Sequence, residues 1–161
     1  MKRFTALLLA GTIASGAMAH QDRRLTLSPT GAIPELPAPF AATRLRVEFK
    51  GQGRATRLAT IALSVAGHAT RLPPCLLAQI PPTSRKGMAL SGSWDHDLSD
   101  LPPYLHLRIR PTNGGHNRVG PEDIELLFSL RDAHLISAQH DVPVGADDMQ
   151  VRALDVSCRQ S

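Results

Sequence analysis

Residues 44–50 read Arg44-Leu45-Arg46-Val47-Glu48-Phe49-Lys50, and this stretch decides the fold class of the chain. Charged and apolar residues alternate along it, so one set of side chains faces inward and the other faces water. A period of two is typical of a half-buried β-strand and does not fit a helix, whose period is 3.6 residues. Residues 104–110 repeat the pattern, with Leu105, Leu107 and Ile109 on the inner side. Both segments therefore predict strands.

Further strands are predicted where short apolar segments lie between turn signals such as Gly51-Gln52-Gly53. They cover residues 24–27, 58–65, 88–94, 124–130, 133–138 and 149–156. Residues 75–80 fit either a strand or a single helical turn, and no longer stretch keeps a helical period. Eight or nine short strands with intervening turns predict an all-β chain that folds as a single antiparallel β-sandwich, immunoglobulin-like or jelly-roll-like.

The composition supports one ordered domain. Hydrophobic residues make up 42% and charged residues 20% of the 161 residues, which is ordinary for a globular chain and argues against wholesale disorder. Aromatic residues make up only 4%, so the core must be mostly aliphatic. The 12 glycines and 13 prolines follow no period, which excludes a collagen-like chain. No apolar run approaches the ~18 residues that a membrane-spanning helix needs.

The N-terminal segment has the pattern of an export signal. Lys2 and Arg3 precede an apolar stretch over residues 4–14, and Ala17-Met18-Ala19 fits an A-x-A cleavage site. We therefore expect a signal peptide over 1–19, a single domain over 20–161, and a periplasmic or secreted protein. No cysteine lies near the cleavage point, so no lipid anchor is expected. Losing Lys2 and Arg3 lowers the formal net charge of +4 by two, and so small a charge gives no support for nucleic-acid binding.

The two cysteines, Cys75 and Cys158, predict one structural disulfide. An even number of cysteines in an exported protein is typical of disulfide pairing. A metal site or a redox pair is the alternative. Neither fits well, because the chain has no CxxC motif and neither cysteine has a histidine at ligand spacing.

Cleavage after Ala19 would make His20 the first residue of the mature chain. A terminal histidine offers an amine and an imidazole nitrogen to one metal ion, and nitrogen ligands suit Cu(II). This arrangement resembles the histidine brace of lytic polysaccharide monooxygenases and the N-terminal copper site of periplasmic copper carriers, and the resemblance implies a copper-binding protein. His96 and His106 are the preferred second ligands among the remaining histidines, the others being His68, His116, His134 and His140. Without copper, no cofactor is expected.

The segment from Ser93 to Tyr104 is the preferred candidate for a binding loop. It combines aromatic, acidic and histidine side chains without a core pattern, and its named residues are Trp94, Asp95, His96, Asp97 and Tyr104. Trp and Tyr are favoured at contact sites, although a core position for Trp94 is the common alternative. A hydrolase could also be assembled from Ser91, Ser93, Asp95 and His96, but no G-x-S-x-G motif accompanies them.

Basic residues on the outer sides of several predicted strands would form a cationic stripe if those strands are neighbours. They are Arg44, Arg46 and Lys50 on one strand, Arg108 and Arg110 on a second, and Arg152 on a third. The guanidinium group of arginine binds carboxylates and phosphates with two parallel hydrogen bonds. Anionic glycans, lipid headgroups or an acidic protein could therefore bind to such a stripe. The alternative is an ordinary solvated sheet face. Together these features predict an exported binding protein without catalytic activity, acting on a protein or an anionic envelope component. A copper-binding protein is the second hypothesis, and a small hydrolase the third.

Overall fold

The computed structural model describes residues 23–52, 56–80, 87–95, 102–112, 122–145 and 148–158. The predicted signal peptide and His20 lie outside these ranges. Within them the chain is predominantly β, as predicted. The strands are Arg23–Leu25 (β1), Thr30–Ala32 (β2), Arg44–Lys50 (β3), Arg57–Val65 (β4), His68–Arg71 (β5), Gly87–Asp95 (β6), Tyr104–Thr112 (β7), Asp123–Ser129 (β8), Leu135–Pro143 (β9) and Met149–Ala153 (β10). A short 3₁₀ turn spans Phe40–Ala42, and one short α-helix spans Pro74–Leu77 (α1).

The ten strands form two antiparallel sheets. Six of them follow the order β1-β6-β7-β8-β9-β10, and the other four follow the order β2-β3-β4-β5. Neighbouring strands are consecutive in sequence except at β1–β6, where the chain returns after building the smaller sheet. The expected immunoglobulin-like or jelly-roll-like topology is therefore wrong for the described strands, because both have Greek-key connections and this order has none.

The predicted number of strands was too low because two short strands escape sequence patterning. β2 reads Thr-Gly-Ala and pairs with β3, and β5 reads His-Ala-Thr-Arg and pairs with β4. Neither contains alternating apolar residues. Each is held in an extended conformation by its backbone pairing with a neighbouring strand. Residues 75–80, which fitted a strand or a helical turn, contribute to α1. Pro74 lies in the first turn of this helix, where proline is tolerated, and Leu76 and Leu77 are buried.

Both sheets contribute to one hydrophobic core. The alternation in β3 buries Leu45 and Val47, and that in β7 leaves Leu105, Leu107 and Ile109 wholly inaccessible. These side chains belong to a single cluster of buried residues that is aliphatic except for Phe128 and Trp94. The predicted inner side of β7 and the aliphatic core are thus confirmed.

The predicted pairing of Cys75 with Cys158 is also confirmed. The two residues form a disulfide with Cα atoms 6.2 Å apart. Beside it, the Gln79 amide donates to the carbonyl oxygen of Asp155 at 3.2 Å and accepts from its backbone N–H at 2.8 Å. The bridge therefore fixes the C-terminal segment to α1. Within the described residues, no helix has the length and apolar character needed to cross a membrane.

Candidate functional site

The predicted binding loop is only partly covered by the described residues. Trp94 and Asp95 end β6, Tyr104 begins β7, and Asp95 lies directly opposite Tyr104. His96 and Asp97 lie outside the described ranges. Trp94 belongs to the core and is only 5% exposed. The guanidinium of Arg23 lies 5.6 Å from the centre of its ring, within cation–π distance.

A groove lies beside this loop, on the outer side of the six-stranded sheet, and encloses about 500 Å³. Its polar lining consists of three arginines, one histidine and two serines. We call it the arginine groove; its polar residues are Arg24, Ser91, Ser93, His106, Arg108 and Arg110, with Leu25, Ala89 and Gly92 beneath them. The volume falls within the range of ordinary small-molecule sites.

Strand register explains why these side chains meet. Residues that lie opposite each other in neighbouring strands share a face of the sheet. Arg24 of β1 lies opposite Ser93 of β6, which in turn lies opposite His106 of β7. The next row pairs Ser91 with Arg108, and the row after that pairs Ala89 with Arg110. The groove therefore crosses three strands, and its polar side chains on β6 and β7 come from every second residue.

Two carboxylates on the neighbouring strand β8 hold the arginines of β7 from the side. Arg110 donates two parallel hydrogen bonds to Asp123, at 2.7 and 2.8 Å, and Arg108 donates to Glu125. The Asp123 and Glu125 side chains are only 10% and 15% exposed, whereas those of Arg108 and Arg110 are 40% and 44% exposed. The hydrogen bond to Asp123 also raises the pKa of Arg110. The carboxylates thus orient the guanidinium groups while leaving them accessible.

Glu125 is the centre of this polar network. Besides Arg108, it contacts the Nε2 atom of His106 at 3.2 Å and accepts a hydrogen bond from the Gln139 amide at 3.1 Å. Asp141 lies opposite Asp123 on β9. Burial, followed by the negative charges of Glu125 and Asp123, raises the pKa of Asp141. The network therefore balances positive against negative charge beneath the surface and keeps the β7 side chains in fixed positions.

Arg24 differs from the two arginines of β7. It is exposed on a three-residue edge strand, and no carboxylate of the described residues forms an ion pair with it. Among the described residues its charge is therefore not compensated by an ion pair, and it lines the groove.

The condition for a continuous cationic stripe, that the basic strands are neighbours, is not met. β3, which carries Arg44, Arg46 and Lys50, belongs to the four-stranded sheet, whereas β7 belongs to the six-stranded sheet. Arg46 is bound to Glu48 on its own strand. Arg152 of β10 lies opposite His140, in a row that alternates with the row of Arg108 and Glu125, so its side chain is on the other face. Only Arg108 and Arg110 remain together, and Arg24, which was not predicted, joins them.

The residues of the predicted hydrolase are only partly covered by the described ranges. Asp95 is buried at the end of β6, and His96 lies outside the described ranges. A different set of a serine, a histidine and a carboxylate, namely Ser93, His106 and Glu125, does lie on neighbouring strands. Yet no hydrogen bond joins the Ser93 hydroxyl to His106, and Ser93 is only 7% exposed. The contact that activates a serine nucleophile is absent from these three described residues.

The copper hypothesis rests on residues that are largely outside the described ranges. This applies to His20 and His96, while His106 is 28% exposed and contacts Glu125. Elsewhere, His140 is bound to Glu122 at 2.6 Å and His134 to Asp132 at 2.6 Å. Within the described part of the chain, no group of three or more His, Cys, Asp or Glu side chains is placed to hold a metal ion.

Comparisons with known proteins give no indication of the function. No protein-family model, no curated protein and no solved structure matches the chain. The arginine groove is the feature of the described residues that combines a cavity with charged, oriented side chains, so it is the candidate functional site.

Proposed function

We propose that this chain is an exported binding protein that holds an anionic group in the arginine groove. One observation carries the proposal: three arginines, a histidine and two serines line the groove, and no carboxylate is among its described lining residues. The carboxylates that position Arg108 and Arg110 lie beside them on β8 and are less exposed than the guanidinium groups. A ligand therefore meets guanidinium and hydroxyl donors, which suit the oxygens of phosphate and carboxylate groups.

The ligand class follows from charge and compartment. The disulfide and the signal-like N-terminal segment support an extracytoplasmic protein. Outside the cytoplasm, anionic groups of this kind are carried by acidic glycans and by lipid headgroups. Two sheets that share one core support a β-sandwich, a rigid scaffold on which a sheet face can present such a site. We therefore propose an anionic envelope component as the ligand.

A nuclear magnetic resonance titration of the exported protein tests this proposal. The probes are inorganic phosphate, an oligogalacturonate, and vesicles of phosphatidylglycerol, so that a free anion, an acidic glycan and a lipid surface are compared. Amide shifts should move at residues of β1, β6 and β7 around the groove. Binding should weaken as salt is added, because exposed charges are screened.

Arg24→Gln and Arg44→Gln form a matched pair of variants. Each removes one positive charge from an exposed arginine that lies opposite a serine, Ser93 for Arg24 and Ser64 for Arg44, but only Arg24 borders the groove. Loss of a charged hydrogen bond should weaken binding about tenfold or more in Arg24→Gln, while Arg44→Gln should bind as the unmodified protein does. Equal weakening in both variants would mean a general charge effect and would overturn the proposed site.

A further inference from the structure

The last strand, β10, leaves an open edge on the six-stranded sheet. It ends the strand order, and all five of its residues are exposed. Every large hydrophobic residue that is exposed among the described ranges lies in β10 or within five residues of one of its ends: Val144, Met149, Val151 and Val156, at 57%, 43%, 59% and 42% exposed. Met149 and Val151 lie within the edge strand itself, and exposed apolar side chains on an edge strand mark an interaction surface.

The hydrogen bonds at both ends of β10 show which of its backbone groups bond to β9 and which point away from the sheet. Val144 N–H donates to the Asp148 carbonyl, and Leu154 N–H donates to the Ala138 carbonyl. In an antiparallel pair, every second residue bonds to the neighbouring strand. The even-numbered residues of β10 therefore bond to β9, and the N–H and C=O groups of Met149, Val151 and Ala153 point away from the sheet.

We infer that this edge pairs with β10 of a second copy of the chain, antiparallel and centred on Val151. In that register Val151 lies opposite its own counterpart and Met149 lies opposite Ala153. The outward groups of these residues then bond to each other across the twofold axis. The side chains of Met149, Val151 and Ala153 share one face of the strand, so each lies beside an apolar side chain of the second copy.

Charge supports the same register. β10 has one charged residue, Arg152, and antiparallel pairing about Val151 places it opposite Gln150 of the second copy, so that like charges do not oppose each other. The two side chains are compatible, because within one chain Arg152 already donates to the Gln150 side-chain oxygen at 3.0 Å.

The other sheet edges lack this character. β1 carries Arg23 and Arg24, and β5 carries His68 and Arg71, charged or polar side chains that discourage edge pairing. β2 is only three residues long. β10 has neither proline nor lysine, and its register with β9 runs without a shift. Two of the usual protections of an edge strand, proline and lysine, are thus missing there, and Arg152 is its one charged residue.

Sedimentation velocity of the exported protein over a range of concentrations tests the inference. We expect a reversible dimer. Val151→Lys places two like charges opposite each other on the axis and should raise the dissociation constant about tenfold or more. Val156→Lys is the matched control, since it also replaces an exposed valine with lysine but lies beyond the strand. It should dimerise as the unmodified protein does, and circular dichroism should show that both variants fold.

Cross-linking tests the register itself. Cα atoms of a hydrogen-bonded antiparallel pair lie about 5.5 Å apart, which is within disulfide range. Val151→Cys should therefore give a covalent dimer under oxidising conditions, whereas Gln150→Cys, whose counterpart is displaced by two positions, should give much less. A monomer at all concentrations, an unchanged dimer in Val151→Lys, or efficient cross-linking only through Gln150→Cys would each overturn the inference.

Discussion

At the scale of single residues, Asp132 shows how a turn depends on one ionised carboxylate. Hydrogen bonds from Ser129 and then from His134 lower the pKa of Asp132 to about 2 from its ordinary 3.8. Because the folded pKa lies below the unfolded one, Asp132 stabilises the fold above its unfolded pKa, and this contribution is lost as the pH falls through the folded value. We expect a carbon-detected titration of this carboxyl group to give a midpoint near 2.

Asp132→Asn is the corresponding variant. It should flatten the fall in unfolding free energy between pH 3.8 and about 2, with little change in the slope at higher pH. A midpoint near 3.8 in the unmodified protein, or the same slope in both proteins, would contradict the assigned hydrogen bonds.

Copper binding at His20 stays a prediction from the sequence. The exported protein should begin at His20, have a mass two hydrogens below that of the reduced chain, and retain one copper ion after buffer exchange. His20→Ala should lose the ion, because it removes the imidazole that chelates together with the terminal amine. A chain that begins elsewhere, or a variant that retains copper equally well, would exclude this site.

Single residues of the groove were only partly predictable. The alternation placed Arg108 and Arg110 on the outer side of a strand, but it could not assign their partners. A signal was available: Asp123 and Glu125 have the same spacing of two, and antiparallel pairing of the two strands brings Arg108 opposite Glu125. Which strands are neighbours is decided by the packing of the whole chain, so Arg24 could not be linked to this group from its sequence position.

At the scale of elements, the turn between β4 and β5 holds an alanine in a strained backbone conformation, and a single substitution should relieve the strain. Its two-residue turn has positive φ at both positions, 48° at Ala66 and 86° at Gly67, as a type I′ turn requires. An alanine in this conformation costs about 1–2 kcal/mol. We expect Ala66→Gly to raise the free energy of unfolding by about 0.5–1 kcal/mol, measured by urea denaturation.

The same exchange elsewhere provides a control. Ala69 lies in β5, outside the turn, and Ala69→Gly should lower stability by about 0.5–1 kcal/mol because glycine weakens a strand. If both exchanges lower stability, the turn does not hold Ala66 in the left-handed region.

Elements with their own pattern were predicted closely, and elements that depend on a neighbour were not. β3 has the bounds that its alternation indicates, and β7 extends the predicted segment by two residues. β9 reaches Pro143, although Val142 to Asp147 reads as a loop rich in proline and glycine. β9 can continue there because β10 pairs with it as far as Pro143. Cross-strand bonding thus overrides the local signal, as it does in β2 and β5.

At the scale of the molecule, the two proposed surfaces lie on one sheet. The arginine groove occupies the β1, β6 and β7 end, and β10 forms the opposite edge. Antiparallel pairing of two copies about an axis perpendicular to the sheet keeps both outer faces on the same side. Two grooves would then face the same way, which favours attachment to a polymer or a surface that carries many anionic groups.

The disulfide determines how firmly the C-terminal end of the chain is fixed, so its removal should lower the free energy of unfolding. Cys75 and Cys158 close a loop with a sequence separation of 83, for which the chain-entropy relation gives about 4 kcal/mol. We expect the double variant Cys75→Ser/Cys158→Ser to lose about 3–4 kcal/mol of unfolding free energy in guanidinium. Gln79, just after α1, still binds Asp155, so the native fold should survive.

A reducing agent separates the bridge from the substitutions. It should destabilise the unmodified protein by the same amount and leave the double variant unchanged. If instead the variant loses stability and reduction does not, the serines disturb the packing of α1 and the bridge contributes little. If neither change matters, the bonds of Gln79 and the burial of Leu76 and Leu77 hold the C-terminal segment without it. The open edge of β10, which directly precedes that segment, would then keep its position in the reduced protein as well.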